Sequence, residues 1–355
     1  DLARRVVYVE SSRGCPYRCA FCMSALEKKL RFFPRDATRE SLERLWARGT
    51  RVFKFVDRSF NAVTDEALWL LEFFLPKLTE EEGLLHLECT PEQLDERLFA
   101  LFRSFPAGRL QLELGVQTLN PEVAHHIQRP CHPERILHNL RRLLCETGAH
   151  LHTDLIVGLP GEDLHSFARG FDQLVAAEPH EVQVGILKRL RGAPLTAMTE
   201  RFGLRFSSTA PYEVLATDAL PFEQLYPLRR FAKLWDKVYN SGHFPRSRRL
   251  LLQLDEPDAS AFANFAVFVD FVEARHPLSR GIALMRLVEL LFERLSLLYS
   301  PELAAAAVLD DYLGSGHNDV PRILRPYLDP LAQERVRERR AAQLNHAKRQ
   351  ARHLG

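Results

Sequence analysis

The chain has 355 residues, of which 46% are apolar and 26% are charged, and its formal net charge at pH 7 is +2. These values are typical of globular proteins and exclude wholesale disorder and a collagen-like repeat. The length suits one large α/β domain with an appendage, or two domains. No apolar run approaches the ~18 residues of a membrane span. The chain begins at Asp1 with no apolar signal core, so we expect a cytoplasmic protein whose sequence continues upstream.

Short apolar runs alternate with amphipathic stretches over the first 200 residues, and their Val, Ile, Leu and Phe content suits strands buried on both faces. The predicted strands are Val6–Val9, Val52–Val56, Leu84–Glu88, Leu110–Gly115, Thr153–Val157 and Val182–Ile186. The predicted helices are Arg39–Ala47, Asp65–Leu75, Pro91–Phe102, Pro121–Gln128, Pro133–Glu146 and Ser166–Ala176. Six β-then-α units predict an α/β fold, a partial (β/α)6 TIM-like barrel with its chemistry at the C-terminal ends of the strands.

Beyond about residue 200 the strand signals stop and helical patterns take over. The helices predicted there are Glu223–Tyr239, Ala261–Glu273, Gly281–Tyr299, Pro301–Leu313 and Leu331–Leu354. The composition of Ser207–Pro211 is typical of a linker. We therefore predict two domains, the barrel over residues 1–200 and a mostly α-helical C-terminal domain over residues 201–355.

Three of the six cysteines, Cys15, Cys19 and Cys22, form a C-x3-C-x2-C pattern directly after the first predicted strand. A secreted disulfide framework would be denser and shorter. Three thiolates on one loop can bind three irons of a 4Fe-4S cluster and leave the fourth iron open to a substrate. Two alternatives stay open here: a zinc site completed by His86 or His125, and three unligated core cysteines.

The pattern C-x3-C-x-aromatic-C resembles the signature of the radical S-adenosylmethionine (SAM) superfamily. The resemblance implies an enzyme that binds a 4Fe-4S cluster and SAM and reductively cleaves SAM to a 5′-deoxyadenosyl radical. It further implies that Phe21 packs near the adenine and that a reductant such as flavodoxin or ferredoxin supplies the electron. The substrate and any catalytic acid or base stay unknown.

Three later strand ends resemble the oxygen-independent coproporphyrinogen oxidase branch of that superfamily. The motifs are E-x-x-P at residues 88–91, G-V-Q at 115–117 and D-L-I-x-G-L-P at 154–160. In that branch the corresponding Glu, Gln, Arg and Asp contact SAM. The resemblance thus implies SAM contacts by Glu88, Gln117, Arg129 and Asp154. An arginine can fork onto a carboxylate, and carboxylates can accept hydrogen bonds from an ammonium group or ribose hydroxyls.

The end of the second strand departs from the usual pattern, a glycine-rich turn or G-G-E that holds the methionine amino group. Here the segment from Asp57 to Asn61 resembles the D-x-x-F-N variant of cobalamin-dependent radical enzymes and methylthiotransferases. We predict that the Asp57 side chain holds the ammonium group, with the turn backbone as the alternative. Glu113 is a further candidate for the ribose, with ordinary inward-facing strand polarity as its alternative.

Segments beginning at Gly185, Pro211 and Tyr239 resemble bacterial cobalamin-binding-domain radical enzymes that carry an uncharacterised C-terminal helical domain. That resemblance covers roughly the whole chain. In that group a Rossmann-type cobalamin domain precedes the radical domain, whereas this chain contains no D-x-H-x-x-G cobalamin-ligand motif. The resemblance therefore implies cobalamin held by a domain outside this chain, and methyl transfer to an unidentified substrate.

The remaining cysteines, Cys89, Cys131 and Cys145, are predicted to pack as small hydrophobes, with a function for Cys89 or Cys131 left open. His150, His152 and His165 could line the substrate cavity or serve structural roles. The tail from Arg335 to Gly355 carries seven Lys/Arg, one acid and no aromatic residue. It is predicted to be a solvated helix, and nucleic acid is not an expected partner.

Two alternative functions stay open beside the radical SAM hypothesis. One is a methylthiotransferase-like RNA-modifying enzyme, which would normally need a further N-terminal cluster domain and a C-terminal β-barrel. The other is a non-catalytic iron–sulfur or zinc protein. Neither alternative involves a membrane.

Overall fold

A computed structural model describes residues 2, 5–27, 29–278, 281–317 and 320–328 of the chain. The chain divides into two compact units, Asp1–Tyr226 and Pro227–Gly355. The predicted domain limit at residue 200 stays a prediction. The predicted helix Leu331–Leu354 and the basic tail lie outside the described residues.

A six-stranded sheet forms the centre of the first unit. Its strands β1–β6 are Val6–Val9, Val52–Phe55, Leu84–Cys89, Leu110–Gln117, His150–Val157 and Glu181–Ile186. The strands lie in chain order and every neighbouring pair is parallel. Along β4, Leu110, Leu112 and Leu114 are fully buried, and the side chains between them lie on the opposite face because a strand alternates its side chains. The predicted partial (β/α)6 barrel is confirmed.

Six helices lie between the strands: one follows each of β1, β2, β3 and β5, and two follow β4. They are α1 Arg35–Ala47, α2 Thr64–Glu80, α3 Glu96–Ser104, α4 Pro121–His126, α5 Pro133–Glu146 and α6 Leu164–Val175. Local caps set several of these starts, since the side chains of Asp95, Asn120 and Asp163 accept hydrogen bonds from the first turns of α3, α4 and α6. The single helix predicted over residues 91–102 is wrong, because a 3-10 turn at Pro91–Gln93 ends before the Asp95 cap.

The predicted linker at Ser207–Pro211 is also wrong. It joins two short antiparallel strands, Arg205–Phe206 and Val214–Ala216, and the Ser207 backbone N–H donates to the Glu213 carbonyl. Strands of two and three residues are too short for alternation to appear in the sequence.

Helices form the rest of the described chain. They are α7 Phe222–Trp235, α8 Pro245–Leu252, α9 Ala261–Glu273, α10 Leu284–Leu295 and α11 Pro301–Gly314, with a π-helical turn Asp236–Asn240 after α7. The mostly helical C-terminal region is confirmed. Within the second unit Trp235 stacks on Tyr239 with ring centroids 4.4 Å apart, and Phe265 packs edge-on against Trp235. Among the described residues, we find no helix with the length and apolarity that spanning a bilayer demands.

Helix α8 is absent from the predicted elements because its cap comes from a distant part of the sequence. Phe244 precedes the helix and provides no side-chain hydrogen bond. Instead the Asp311 carboxylate on α11 accepts hydrogen bonds from the backbone N–H groups of Arg246, at 3.1 Å, and Ser247, at 2.7 Å. Pro245 at the first position is then the local start signal, and one proline before a helix of eight residues is a weak signal without a neighbouring cap.

Candidate functional site

A cavity of about 160 Å3 lies at the C-terminal ends of β3, β4 and β5, beside the loop that follows β1. Nine of the ten predicted site residues line it: Cys15, Cys19, Phe21, Cys22, Glu88, Glu113, Gln117, Arg129 and Asp154. In a parallel barrel these strand ends open on one face, which explains how residues far apart in the sequence come together. The exception is Asp57.

The cysteine loop folds tightly over this cavity. Gly14 has φ +94°, and a Cβ there would lie 2.4 Å from the backbone oxygen of Lys29, so only glycine fits. Cys22 begins a 3-10 turn, and its Sγ accepts a hydrogen bond from the Ser24 backbone N–H at 3.4 Å. Cys15 and Cys19 are buried and Cys22 is half-buried. Burial raises the pKa of the Cys15 and Cys19 thiols, and the positive charge of Arg129 opposes that rise.

The spacing of the three sulfur atoms separates the metal alternatives. Among the described residues, only Glu113, His152 and Asp154 form a group of three or more metal-binding side chains whose ligand atoms all lie within 4.8 Å of one another. The three cysteine Sγ atoms are therefore not all within 4.8 Å of one another. A single zinc ion at about 2.3 Å from each sulfur would need them closer together than this, so the side chains would have to turn inwards to bind it. His86, a candidate fourth zinc ligand, contacts Glu113 instead.

Arg129 links the cysteine loop to the end of β4. Its Nη1 lies 3.7 Å from Cys19 Sγ, and its Nη2 donates a hydrogen bond to the Gly115 carbonyl oxygen. Its Nε is buried with no hydrogen-bond partner among the described residues. A buried guanidinium with an unused donor is suited to an anionic ligand such as a carboxylate.

The end of β4 is irregular at the cavity. The register with β5 shifts between Gly115 and Gln117, and Gln117 has φ +71°, which is uncommon for a residue with a side chain. A Cβ at Gly115 would lie 2.9 Å from Gln117 Nε2 and 3.4 Å from Arg129 Nη2. The glycine thus leaves room for both polar side chains.

Glu113 belongs to a charged cluster on the inner face of the strands. His86 Nε2 lies 3.0 Å and Lys54 Nζ 3.3 Å from its Oε2. The hydrogen bond from His86 lowers the pKa of Glu113 to about 2, so the carboxylate is ionised near neutral pH. Burial, and then the negative charge of Glu113, raise the pKa of the neighbouring Glu88.

His152 lies between two carboxylates on the same face. Its Nε2 is 3.1 Å from Asp154 Oδ1, and its Nδ1 is 3.4 Å from Glu181 Oε2. Burial lowers the pKa of His152, but the hydrogen bonds to Asp154 and Glu181 outweigh that effect and raise it to about 10. A protonated His152 balances the acidic charge of this cluster without a metal ion.

Asp57 is bonded to the chain that enters the cysteine loop. It is buried and accepts hydrogen bonds from the Ser11 backbone N–H at 3.0 Å, from the Ser11 hydroxyl at 2.6 Å and from the Ser12 hydroxyl. Both carboxylate oxygens thus have partners within the protein, and Asp57 is not among the residues that line the cavity. Its predicted contact with an ammonium group stays a prediction.

The residue after Asp57 is one that sequence reasoning missed, since Arg58 lines the cavity. The only signal was its position beside a predicted site residue, in the turn that follows β2. Tyr17, Ser24 and Thr90 also line the cavity. Tyr17 and Thr90 occupy variable positions of the C-x3-C and E-x-x-P motifs, which specify no residue type there. Asn61 of the same segment donates to the Thr90 carbonyl at 2.9 Å, which ties the end of β2 to the end of β3.

The other cysteines differ in their surroundings. Cys89 is buried beside the cavity, and burial raises the pKa of its thiol. Cys131 is half-buried, with Sγ 3.6 Å from the Thr118 carbonyl oxygen. The prediction that Cys145 is packed is wrong, because it is exposed on α5. His165 is exposed on α6, and neither it nor His150 lines the cavity.

Two sequence families match successive parts of the chain. Residues 9–174 match the family described as the Radical SAM superfamily. Residues 200–351 match a family described as a protein of unknown function, DUF4080.

Individual relatives agree with the first of these matches. The chain is 25% identical over 205 residues to the ribosomal protein uS12 methylthiotransferase RimO of Pelobacter propionicus, covering 56% of this chain and 46% of that protein. It is 28% identical over 211 residues to the cobalamin-dependent radical SAM methyltransferase TokK of Streptomyces tokunonensis, covering 55% and 30%. The chain thus spans less than half the length of these curated relatives.

One solved structure supports the same fold. The radical SAM methyltransferase TsrM of Kitasatospora setae superposes with a TM-score of 0.51 at 17% identity, covering 58% of this chain and 42% of that one. The chain therefore shares the fold of that protein over the part of the two chains that superposes.

Proposed function

This chain belongs to the radical SAM superfamily, and from that premise we propose that Cys15, Cys19 and Cys22 hold a 4Fe-4S cluster beside a SAM-binding cavity. The observation that carries the proposal is the meeting of these cysteines with four strand-end SAM candidates, Glu88, Gln117, Arg129 and Asp154, around one cavity. When bound, the cluster and SAM supply one-electron reductive cleavage of SAM to a 5′-deoxyadenosyl radical.

The residues of the chain have separate roles in this proposal. Arg129 binds the SAM carboxylate, because its buried Nε lacks a partner among the described residues and its charge lies beside the cysteine loop. Glu88 and Asp154 accept hydrogen bonds from the ammonium group or ribose hydroxyls, with Glu113 as a further acceptor. Phe21 packs against the adenine. The buried setting of Cys15 and Cys19 keeps water away from the cluster.

Methyl transfer to an unidentified substrate is the reaction that we favour. The relative TokK is a cobalamin-dependent radical SAM methyltransferase. The segments beginning at Gly185, Pro211 and Tyr239 also resemble radical enzymes that carry a cobalamin-binding domain. We place cobalamin on a domain outside these 355 residues and take a flavodoxin or ferredoxin as the electron donor. A reducing cytoplasmic setting suits the free state of all six cysteines.

Methylthiolation is the second candidate, since the uS12 methylthiotransferase RimO is also a relative. The remaining cysteines do not favour it, because Cys89, Cys131 and Cys145 are scattered along the sequence and form no second cluster motif. Once a substrate is known, the mass of the product distinguishes the two reactions. Methyl transfer adds a methyl group alone, whereas methylthiolation adds sulfur together with the methyl group.

Anaerobic reconstitution with iron and sulfide tests the proposed function. We expect about four irons per chain, and 5′-deoxyadenosine that forms only when both SAM and dithionite are present. The matched control is the same protein loaded with zinc. If the reconstituted protein yields no 5′-deoxyadenosine, or if it takes up zinc but no cluster, the proposal is wrong.

Gly115→Ala is expected to weaken SAM binding about tenfold without loss of the cluster, because the new methyl group displaces the Gln117 side chain and fills the space beside Arg129. Equilibrium dialysis against S-adenosylhomocysteine measures the affinity, and the iron content reports the cluster. The control is Gly314→Ala at the end of α11, where an added Cβ meets no atom within 4 Å. Equal affinities in the two variants would contradict the role given to Gly115.

A further inference from the structure

The inner face of β5 carries a row of three polar side chains that continues away from the cavity. His150, His152 and Asp154 alternate with Leu151, Thr153 and Leu155, which are buried on the opposite face. Only Asp154 of the three lines the cavity. His150 and His152 therefore lie behind Asp154, the residue of the row that is proposed to contact SAM.

The two neighbours of His152 fix its protonation state. Asp154 Oδ1 lies 3.1 Å from one ring nitrogen and Glu181 Oε2 lies 3.4 Å from the other. A neutral imidazole carries a single N–H and can donate to one of these carboxylates only, whereas the imidazolium ion donates to both. With Glu181 only 2% exposed and Asp154 17% exposed, a neutral ring would deprive one of these two carboxylates of its hydrogen bond from His152.

Glu181 is itself held in place. Its Oε1 lies 3.0 Å from His150 Nε2, and its backbone carbonyl accepts a hydrogen bond from the Thr153 hydroxyl at 3.0 Å. The His150 ring in turn packs on His180, with ring centroids 4.7 Å apart. Because β5 and β6 pair in register at His152 and Glu181, the position of Glu181 is set by the sheet. The chain of contacts thus runs from rigid backbone to the cavity.

We propose that His152 is a positioning residue that presents Asp154 to SAM as an oriented carboxylate ion. The inference rests on the proposed function, in which Asp154 accepts hydrogen bonds from the ammonium group or the ribose hydroxyls of SAM. Its Oδ1 is occupied by His152, while Oδ2 accepts no hydrogen bond from any residue in the described ranges and is available to an ammonium group or to ribose hydroxyls.

The positive charge of His152 keeps Asp154 ionised, in addition to the hydrogen bond that orients it. Burial raises the pKa of Asp154, and the negative charge of Glu113 adds to that rise, whereas the hydrogen bond from His152 opposes it. A protonated Asp154 would lose acceptor capacity towards the same ligand. The charged groups facing this pair are Glu113 on β4 and Glu181 on β6, with Arg129 also acting on Asp154. Glu88 on β3 interacts electrostatically with Asp154 as well.

His152→Gln separates the two contributions, because glutamine can still donate one hydrogen bond to Asp154 but carries no charge. The affinity of the reconstituted full chain for S-adenosylhomocysteine is measured by calorimetry between about pH 6 and pH 8.5. The quantity of interest is the ratio of variant to wild-type affinity, since the titration of Glu88 affects both proteins alike. His165→Gln, at an exposed site on α6, is the matched control.

We expect the ratio for His152→Gln to fall as the pH is lowered and to recover at the alkaline end, because without the imidazolium charge the Asp154 carboxylate takes up a proton at a higher pH than in the wild-type protein. The fall amounts to about tenfold for each unit by which the substitution raises the pKa of Asp154. The ratio for His165→Gln stays near one throughout. If His152→Gln does not accumulate as folded protein, His152→Asn makes the same comparison.

A constant ratio would overturn the inference, whether it is near one or equally low at every pH, since a purely structural role predicts no recovery. Failure of the wild-type protein to bind S-adenosylhomocysteine at any pH has a different meaning. It would reject the proposed SAM site, and the inference with it.

Discussion

Cys19→Ser is expected to abolish both cluster assembly and SAM cleavage. Iron should fall from about four per chain to a trace, because a serine hydroxyl does not replace a thiolate at an iron of the cluster. The 5′-deoxyadenosine yield should drop by more than about 100-fold, beyond the 10- to 100-fold that loss of a supporting contact around a metal site costs. Cys19 is the most informative of the three cysteines because it also contacts Arg129 at 3.7 Å.

The matched control for that result is Cys145→Ser, since Cys145 is exposed on α5 and lies outside the cavity lining. It should keep full iron content and full cleavage. Equal iron in Cys19→Ser and in the wild-type protein would contradict the assignment of the ligands. Equal loss in both variants would point to general instability and not to a specific site.

Arg129→Lys is expected to leave the cluster in place and to weaken binding of SAM by about 10- to 100-fold. Lysine keeps the positive charge but loses the fork that reaches Gly115, Cys19 and a ligand carboxylate together. Hydrogen bonds to charged groups are worth about 1.5–3 kcal/mol, which corresponds to this range of affinity. Dialysis against S-adenosylhomocysteine, with iron measured on the same samples, checks both parts of the expectation.

Arg97→Lys serves as the control, because Arg97 forms an exposed ion pair with Asp65 at 2.8 Å on the surface of the barrel. Exposed pairs contribute little to stability, so its affinity should stay within error of the wild-type value. Loss of iron in Arg129→Lys would show that Arg129 supports the loop and not the ligand.

The architecture of the first unit was predictable because its strands are short apolar runs and several of its helices carry local start signals. The apolar run at Val6–Val9 marks β1, although Val6 and Tyr8 are exposed, and Pro133 marks the start of α5. Prediction fails where the local signal is weak. Helix α8 shows this, since it has a proline at its start but its cap is Asp311 on α11.

Most of the site was predictable for a related reason. Parallel strands end on one face, so motifs that follow successive strands converge whatever their separation in sequence. The resemblance to known motifs then named eight of the cavity residues, and Glu113 was a further candidate. Asp57 lies outside the cavity lining, because a motif records which residue types occur and not whether their oxygens are already bonded to Ser11 and Ser12.

The pairing of His152 with Glu181 lay beyond sequence reasoning altogether. It depends on the register between β5 and β6, which aligns these two residues across neighbouring strands. Neither residue belongs to a motif, and an isolated histidine is a weak signal. Side chains behind the cavity are fixed by packing and strand register, whereas those at the strand ends can be read from motifs.

The most direct test of the central claim is the electron paramagnetic resonance spectrum of the reduced, reconstituted protein, recorded with and without SAM. Three cysteine ligands leave one iron of the cluster without a protein ligand, so SAM should bind there and change the spectrum. A cluster signal that SAM leaves unchanged would contradict the account, because every iron would then be closed to the ligand.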